Sequence, residues 1–84
     1  MEIKFTQAAR RHRIGRASVR WVMAQHNPTE TTTNDGDAAW RWNGPDERGR
    51  ELEVIAVEVQ GEQDAEPILL VIHVMPSYRR KETS

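Results

Sequence analysis

The chain has 84 residues, the length of one small domain, and it contains no cysteine for a disulfide or a thiolate metal site. Its net charge of −1 conceals three unlike parts: residues 1–26 carry six basic side chains against one acid, residues 27–66 three against eleven, and residues 67–84 three against one. The longest apolar run, residues 68–72, is too short to span a membrane as a helix, and the N-terminus lacks the apolar segment of a signal peptide. We therefore expect a cytoplasmic protein.

Two helices are predicted in the basic N-terminal part of the chain. A short extended segment over residues 3–5 precedes Thr6, whose hydroxyl is suited to cap a first helix over residues 7–12. Gly15 is then the N-cap of a second helix over residues 16–26, in which apolar side chains recur at the i, i+3, i+4, i+7 spacing. An Asn-Pro pair ends this helix because the residue before a proline disfavours helical backbone.

Four strands are predicted after the helices, over residues 30–33, 38–42, 51–60 and 68–75. An Asp-Gly turn and other short connections favour an antiparallel meander. We therefore predict an α+β fold in which two N-terminal helices pack on a four-stranded antiparallel sheet. The single domain, residues 1–84, would comprise helices over about residues 7–26, strands over about residues 30–75 and a basic tail over residues 76–84.

Strands three and four are apolar on both faces, whereas two helices can cover only one face of a sheet. A small core and an uncovered apolar face favour a homo- or hetero-oligomer, joined through a sheet face or edge. Trp40 and Trp42 share one face of the second strand, and Arg41 points to the other. We interpret the two tryptophans as core or as a partner interface, in preference to a platform for RNA bases.

The last predicted strand carries the residue best suited to chemistry. His73 interrupts its apolar run two residues before the strand ends, and its neighbours on the same face would be Leu69, Val71 and Met75. Two interpretations follow. A histidine among alkyl side chains is often a core residue bonded to backbone, and a histidine near a strand end also serves as a general acid or base.

Phosphate-binding charge follows this strand directly and recurs in the N-terminal helices. Arg79 is predicted to stabilise the phosphorane that forms during RNA cleavage, and His12 to act as a second acid or base with His73. The residues predicted to bind RNA are Arg10, Arg13, Arg16, Tyr78, Arg80 and Lys81. The two basic ends are expected to form one positive face, although helices also carry arginine simply as solvated surface.

The acidic residues of the third strand are interpreted as a solvated rim of the sheet. Glu51 and Glu53 share one strand face, as two ligands of a divalent metal would, but the spacing fixes no third ligand. We therefore predict neither a metal site nor a cofactor.

Three stretches of the chain carry motifs of one protein family. Residues 8–14, with the sequence AARRHRI, are similar to an N-terminal ARRHGI helix pair. Residues 44–54 are similar to a GPDxxGRxLEV hairpin, and residues 71–79 are similar to a terminal VIHxMPxxR strand. Together they resemble the BrnT-like and RelE-like ribonuclease toxins of bacterial type II toxin–antitoxin systems. The resemblance implies a metal-independent endoribonuclease that cleaves mRNA and is silenced by a cognate antitoxin protein.

Three classes of function remain open at this point. The favoured class is a ribonuclease toxin with RNA and an antitoxin as its partners. The second is a non-catalytic partner-binding domain, either a degenerate toxin or a small subunit of a protein complex. The third is a nucleic-acid binder without chemistry. We expect no contact with a membrane in any of them.

Overall fold

Five strands form one mixed sheet, and a single α-helix packs on one of its faces. The computed structural model describes residues 2–60 and 66–77. The elements are β1 (Glu2–Phe5), a 3-10 helix (Ala8–Arg10), α1 (Arg16–Gln25), β2 (Thr29–Thr32), β3 (Ala38–Pro45), β4 (Glu51–Val59) and β5 (Ile68–Pro76). The strand order is β1-β5-β4-β3-β2, with β1 parallel to β5 and the other pairs antiparallel. Among the residues described, no helix has the length and apolarity needed to cross a membrane.

The predicted four-stranded antiparallel sheet is wrong because the segment over residues 3–5 belongs to a fifth strand. β1 pairs in parallel with β5, so that Ile3 lies beside Leu69 and Phe5 beside Val71. Ile3 and Phe5 thereby pack against the core, which a loose lead-in would leave exposed to water. The meander of the other four strands is as predicted.

The predicted pair of helices is also wrong, because the segment over residues 7–12 forms only a short 3-10 helix. The Thr6 hydroxyl accepts a hydrogen bond from the Ala9 amide at 3.2 Å, as expected of a cap. Arg13 then adopts a φ of 54°, a left-handed conformation through which a right-handed helix cannot continue. The second predicted helix is confirmed, with Gly15 as its N-cap.

The hydrophobic core lies between one face of the sheet and α1, which contacts β3 and β4. Along β4, buried and less buried residues alternate, as expected when only one sheet face is covered. The core comprises Ala9, Ile14, Val19, Val22, Trp42, Leu52, Val54, Ala56, Val71 and Val74. We call the other side the open face, and it carries Arg41, Glu53, Ile55, Val57, Leu70, His73 and Met75.

A β-bulge in β5 decides which of its residues face the core. The register pairs Ile55 with His73 and Ala56 with Val71, so Ile72 is an extra residue in β5. In a regular strand, His73 would share the core face with Val71, because side chains alternate with a period of two. The bulge instead places His73 on the open face, opposite Ile55. The prediction that His73 and Val71 share a strand face is therefore wrong.

β3 runs three residues beyond its predicted end because Asn43, Gly44 and Pro45 pair with β4. Gly44 lies under the imidazole ring of His26, and a Cβ atom at Gly44 would be 2.5 Å from His26 Nε2. The same nitrogen lies 3.3 Å from the carbonyl oxygen of Pro45. The glycine therefore lets the end of α1 close tightly on β3.

Candidate active site on the open face

Three charged side chains from adjacent strands meet on the open face. Glu53 Oε1 lies 3.2 Å from His73 Nε2, and Glu53 Oε2 lies 3.5 Å from Arg41 Nη1. The register explains the meeting, because Ile55 pairs with both Arg41 and His73 and Glu53 is the next residue of β4 on that face. We call Arg41, Glu53 and His73 the Arg–Glu–His cluster.

The cluster is partly open to solvent. The exposed fraction of the side chain is 44% for Arg41, 24% for Glu53 and 38% for His73. A core histidine would be enclosed and bonded to backbone, whereas His73 is accessible and bonded to a carboxylate. Of the two interpretations of His73, this placement favours the acid–base role.

The contacts of His73 suit proton transfer. Glu53 binds Nε2 and favours the tautomer that carries its proton there, which leaves Nδ1 with no hydrogen bond to any described residue. A histidine with one nitrogen fixed by a carboxylate and the other free is the arrangement that general bases use. Arg41 directs only Nη1 at Glu53, so its remaining N–H groups are available to an anion.

A groove of about 540 Å³ lies beside the cluster. This volume falls within the range of sites that bind small ligands. Its alkyl surface comes from Ile55 and from the bulged Ile72, and Asp35 adds a carboxylate from the turn between β2 and β3. The lining residues are Thr32, Thr33, Asn34, Asp35, Glu53, Ile55, Ile72 and His73. A groove with both alkyl and charged walls suits a ligand with an apolar ring and an ionic group.

The basic N-terminal segment packs along the same strand as His73. The 3-10 helix contacts β5, and β1 ends where Phe5 pairs with Val71, short of His73. Five exposed arginines occupy this segment and the first half of α1, and none forms an ion pair within the described part of the chain. They are Arg10, Arg11, Arg13, Arg16 and Arg20.

The structure does not bring all the predicted site residues together. His12 is exposed in the turn after the 3-10 helix and does not line the groove of His73. Trp42 is buried in the core, and Trp40 packs against the core while staying partly accessible. The predicted residues that lie outside the described ranges are Tyr78, Arg79, Arg80 and Lys81.

Sequence reasoning missed two members of the cluster, Arg41 and Glu53. The sheet face of each residue could be read from the sequence, since Arg41 alternates with the tryptophans of β3 and Glu53 alternates with the buried residues of β4. What was missing was the register of three strands, which places these residues beside His73.

Asp46 is a buried carboxylate outside the groove, in the loop between β3 and β4. Its Oδ1 accepts hydrogen bonds from the amides of Arg48 and Arg50, and its Oδ2 lies 2.8 Å from the Arg50 guanidinium. Burial raises the pKa of Asp46, but the hydrogen bonds from the backbone amides of Arg50 and Arg48 and the side-chain hydrogen bond and charge of Arg50 outweigh burial and hold the pKa below its ordinary value. We assign Asp46 a structural role in closing the loop.

Comparison of the chain with models of known protein families, with curated proteins and with solved structures found no match. Within the described residues, no three His, Asp or Glu side chains are placed to hold one metal ion. The open face offers acid–base groups and a guanidinium next to a groove.

Proposed function

We propose that the protein is a cytoplasmic, metal-independent endoribonuclease, the toxin of a type II toxin–antitoxin system, with its active site on the open face. The observation that carries the proposal is the Arg–Glu–His cluster. It combines a proton acceptor, a carboxylate that orients it and a guanidinium for a phosphate, beside a groove of suitable size. The motif resemblance to ribonuclease toxins points to the same substrate.

Each residue of the cluster has a defined part in RNA cleavage. His73 Nδ1 takes the proton of a ribose 2′-hydroxyl, whose oxygen attacks the adjacent phosphorus. A bond forms from the 2′-oxygen to phosphorus, and the bond from phosphorus to the 5′-oxygen breaks. The products are a 2′,3′-cyclic phosphate and a 5′-hydroxyl that takes its proton from water, and the imidazolium of His73 gives its proton to the hydroxide that this leaves. Arg41 stabilises the negative charge of the phosphorane, and Glu53 stabilises the imidazolium that forms.

Substrate binding is assigned to the unpaired arginines of the basic segment. The 3-10 helix contacts β5 and buries Ala9 in the core, so a polyanion bound along these arginines has to pass around the β1 edge of the sheet to reach His73 on the open face. Arginine is suited to the task, since its guanidinium binds phosphate through two parallel hydrogen bonds. The basic tail over residues 76–84 is proposed to supply further phosphate contacts.

The decisive experiment compares His73→Gln with His26→Gln as a matched control outside the groove. RNA cleavage is measured in the presence of a chelator, and thermal unfolding is measured on the same samples. We expect His73→Gln to lower the cleavage rate by about 10²–10⁴. Its stability should change little, because the side chain is 38% exposed. An RNA with one 2′-deoxyribose at the cleavage position should resist the wild-type protein.

Two results would contradict the proposal. A His73→Gln protein that is folded and fully active would remove His73 from the site. Cleavage at the 2′-deoxyribose position would exclude attack by the 2′-hydroxyl.

A partner-binding domain is the second candidate, and the open face supplies the observation in its favour. Ile55, Val57, Leu70 and Met75 form a half-buried apolar surface there. An antitoxin on this surface would also cover the groove. Wild-type protein that cleaves no RNA, yet forms a stable complex through this face, would establish the second candidate.

A further inference from the structure

We propose that a small pocket on the core side of the sheet binds an arginine side chain of a partner protein. The inference does not depend on ribonuclease activity, since the pocket is lined by other residues than the groove. The pocket is lined by Pro28, Trp40, Trp42, Glu58 and Leu69. Its volume is about 180 Å³, below the usual range for small-molecule sites, so it is sized for one inserted side chain.

The aromatic walls of the pocket favour a cation. Trp42 is 6% exposed and belongs to the core, while Trp40 packs beside it and stays partly accessible. The face of an indole ring carries negative charge density and attracts cations, and tryptophan is the strongest side chain in this respect. Leu69 and Pro28 complete an apolar wall that can contact the methylene groups of a long side chain.

One carboxylate at the pocket and a second on the same sheet face favour the same ligand. Glu58 lines it directly, and Glu30 pairs with Trp40 across β2 and β3, which places Glu30 on the same sheet face. Both are exposed, and neither forms an ion pair within the described part of the chain. None of the residues that line the pocket is basic, so no lining side chain neutralises the carboxylate of Glu58.

Arginine fits this combination better than other side chains. Its planar guanidinium stacks on an indole ring and can still donate hydrogen bonds to a carboxylate at the edge. Lysine offers a point charge without a flat surface. The stretch of sequence that supplies most of the lining, residues 27–66, has eleven acids against three basic residues, so a partner that presents arginine from a basic segment is complementary in charge to it.

The test titrates the intact protein with N-acetyl-arginine amide and follows the indole N–H signals by NMR. N-acetyl-citrulline amide is the matched probe, since it keeps the shape and lacks the charge. Trp21, 44% exposed on α1, is the internal reference. We expect saturable shifts at Trp40 and Trp42 with arginine, binding of citrulline weaker by roughly fivefold or more, and no saturable shift at Trp21.

Variants locate the site. Glu58→Gln should weaken arginine binding roughly threefold to tenfold, whereas Glu51→Gln, on the opposite face of the same strand, should leave it unchanged. Trp40→Leu should abolish it. If Trp40→Leu does not fold, the arginine binding of the Glu58→Gln variant decides the matter, because Glu58 is exposed and its substitution leaves the core intact. Equal binding of the citrulline probe, equal shifts at Trp21, no saturable shift with the arginine probe, or arginine binding that is insensitive to Glu58→Gln would each overturn the proposal.

Discussion

Asp46 shows how one buried charge can organise a turn. The loop between β3 and β4 needs its backbone amides satisfied, and Asp46 accepts from two of them while its second oxygen faces the Arg50 guanidinium. Ser18 on α1 donates to Glu47 of the same loop at 3.0 Å, so the loop is also tied to the helix. The GPDERGR stretch therefore has a structural explanation that needs no catalytic role.

The lowered pKa of Asp46 predicts an acid-sensitive fold. Because the folded pKa lies below the unfolded value of about 3.9, Asp46 stabilises the fold fully above that pH. This stabilisation is lost as the pH falls through the folded pKa. We expect Asp46→Asn to lower the free energy of unfolding by about 1–3 kcal/mol at pH 7 and by much less in strong acid. Chemical denaturation at both pH values measures the difference.

Asp37→Asn is the control for this experiment, because the Asp37 side chain is exposed and the hydrogen bonds of Asp37 to Thr33 are made by its backbone. Its stability loss should be small at both pH values. A loss for Asp46→Asn that is the same at pH 7 and in strong acid would show that its charge does not stabilise the loop.

At the scale of elements, β1 completes the sheet and makes the N-terminal segment part of the core. The Thr6 amide donates to the Val71 carbonyl at 3.0 Å, directly after the last paired residue. We expect this amide to exchange with solvent deuterium as slowly as amides inside the sheet. The Asp35 amide, bonded only to the Thr33 hydroxyl in an exposed turn, should exchange quickly. Equally fast exchange at Thr6 and Asp35 would show that β1 is not paired in solution.

The elements with a strong local pattern were predictable from the sequence, and those that depend on distant pairing were not. The helix after Gly15 has a clear apolar periodicity, and the four strands of the meander have clear turn signals. Residues 3–5 became a strand only because β5 offers a free edge beside them. The bulge at Ile72 has no local signal either, because it appears only in the register between two strands. The Arg–Glu–His cluster depends on both registers and was missed for that reason.

At the scale of the whole molecule, charge is distributed unevenly over a nearly neutral chain. We expect RNA affinity to fall steeply with salt, since five exposed arginines that form no ion pair with any described residue are available for phosphates. Arg10→Gln and Arg16→Gln should each lower the slope of log affinity against log salt by about 0.7, the value for one contact to a single strand. Filter binding from low to moderate salt measures the slope.

Arg48→Gln serves as the control, since Arg48 is an exposed arginine in the acidic middle of the chain. The slope of log affinity against log salt for this variant should equal the wild-type slope. Affinity that does not change with salt, or an equal effect of Arg48→Gln, would place the RNA elsewhere.

The parallel pairing of β1 with β5 determines the order in which the strands of the sheet can pair during folding. The first strand has no partner until the last strand exists, so the fold has a high contact order and its final pairing spans nearly the whole chain. During synthesis on the ribosome, the groove is incomplete until β5 has emerged, because His73 and Ile72 are on that strand. If the proposed ribonuclease acts through this groove, the nascent protein cannot cleave RNA until β5 has been synthesised and has paired in the sheet.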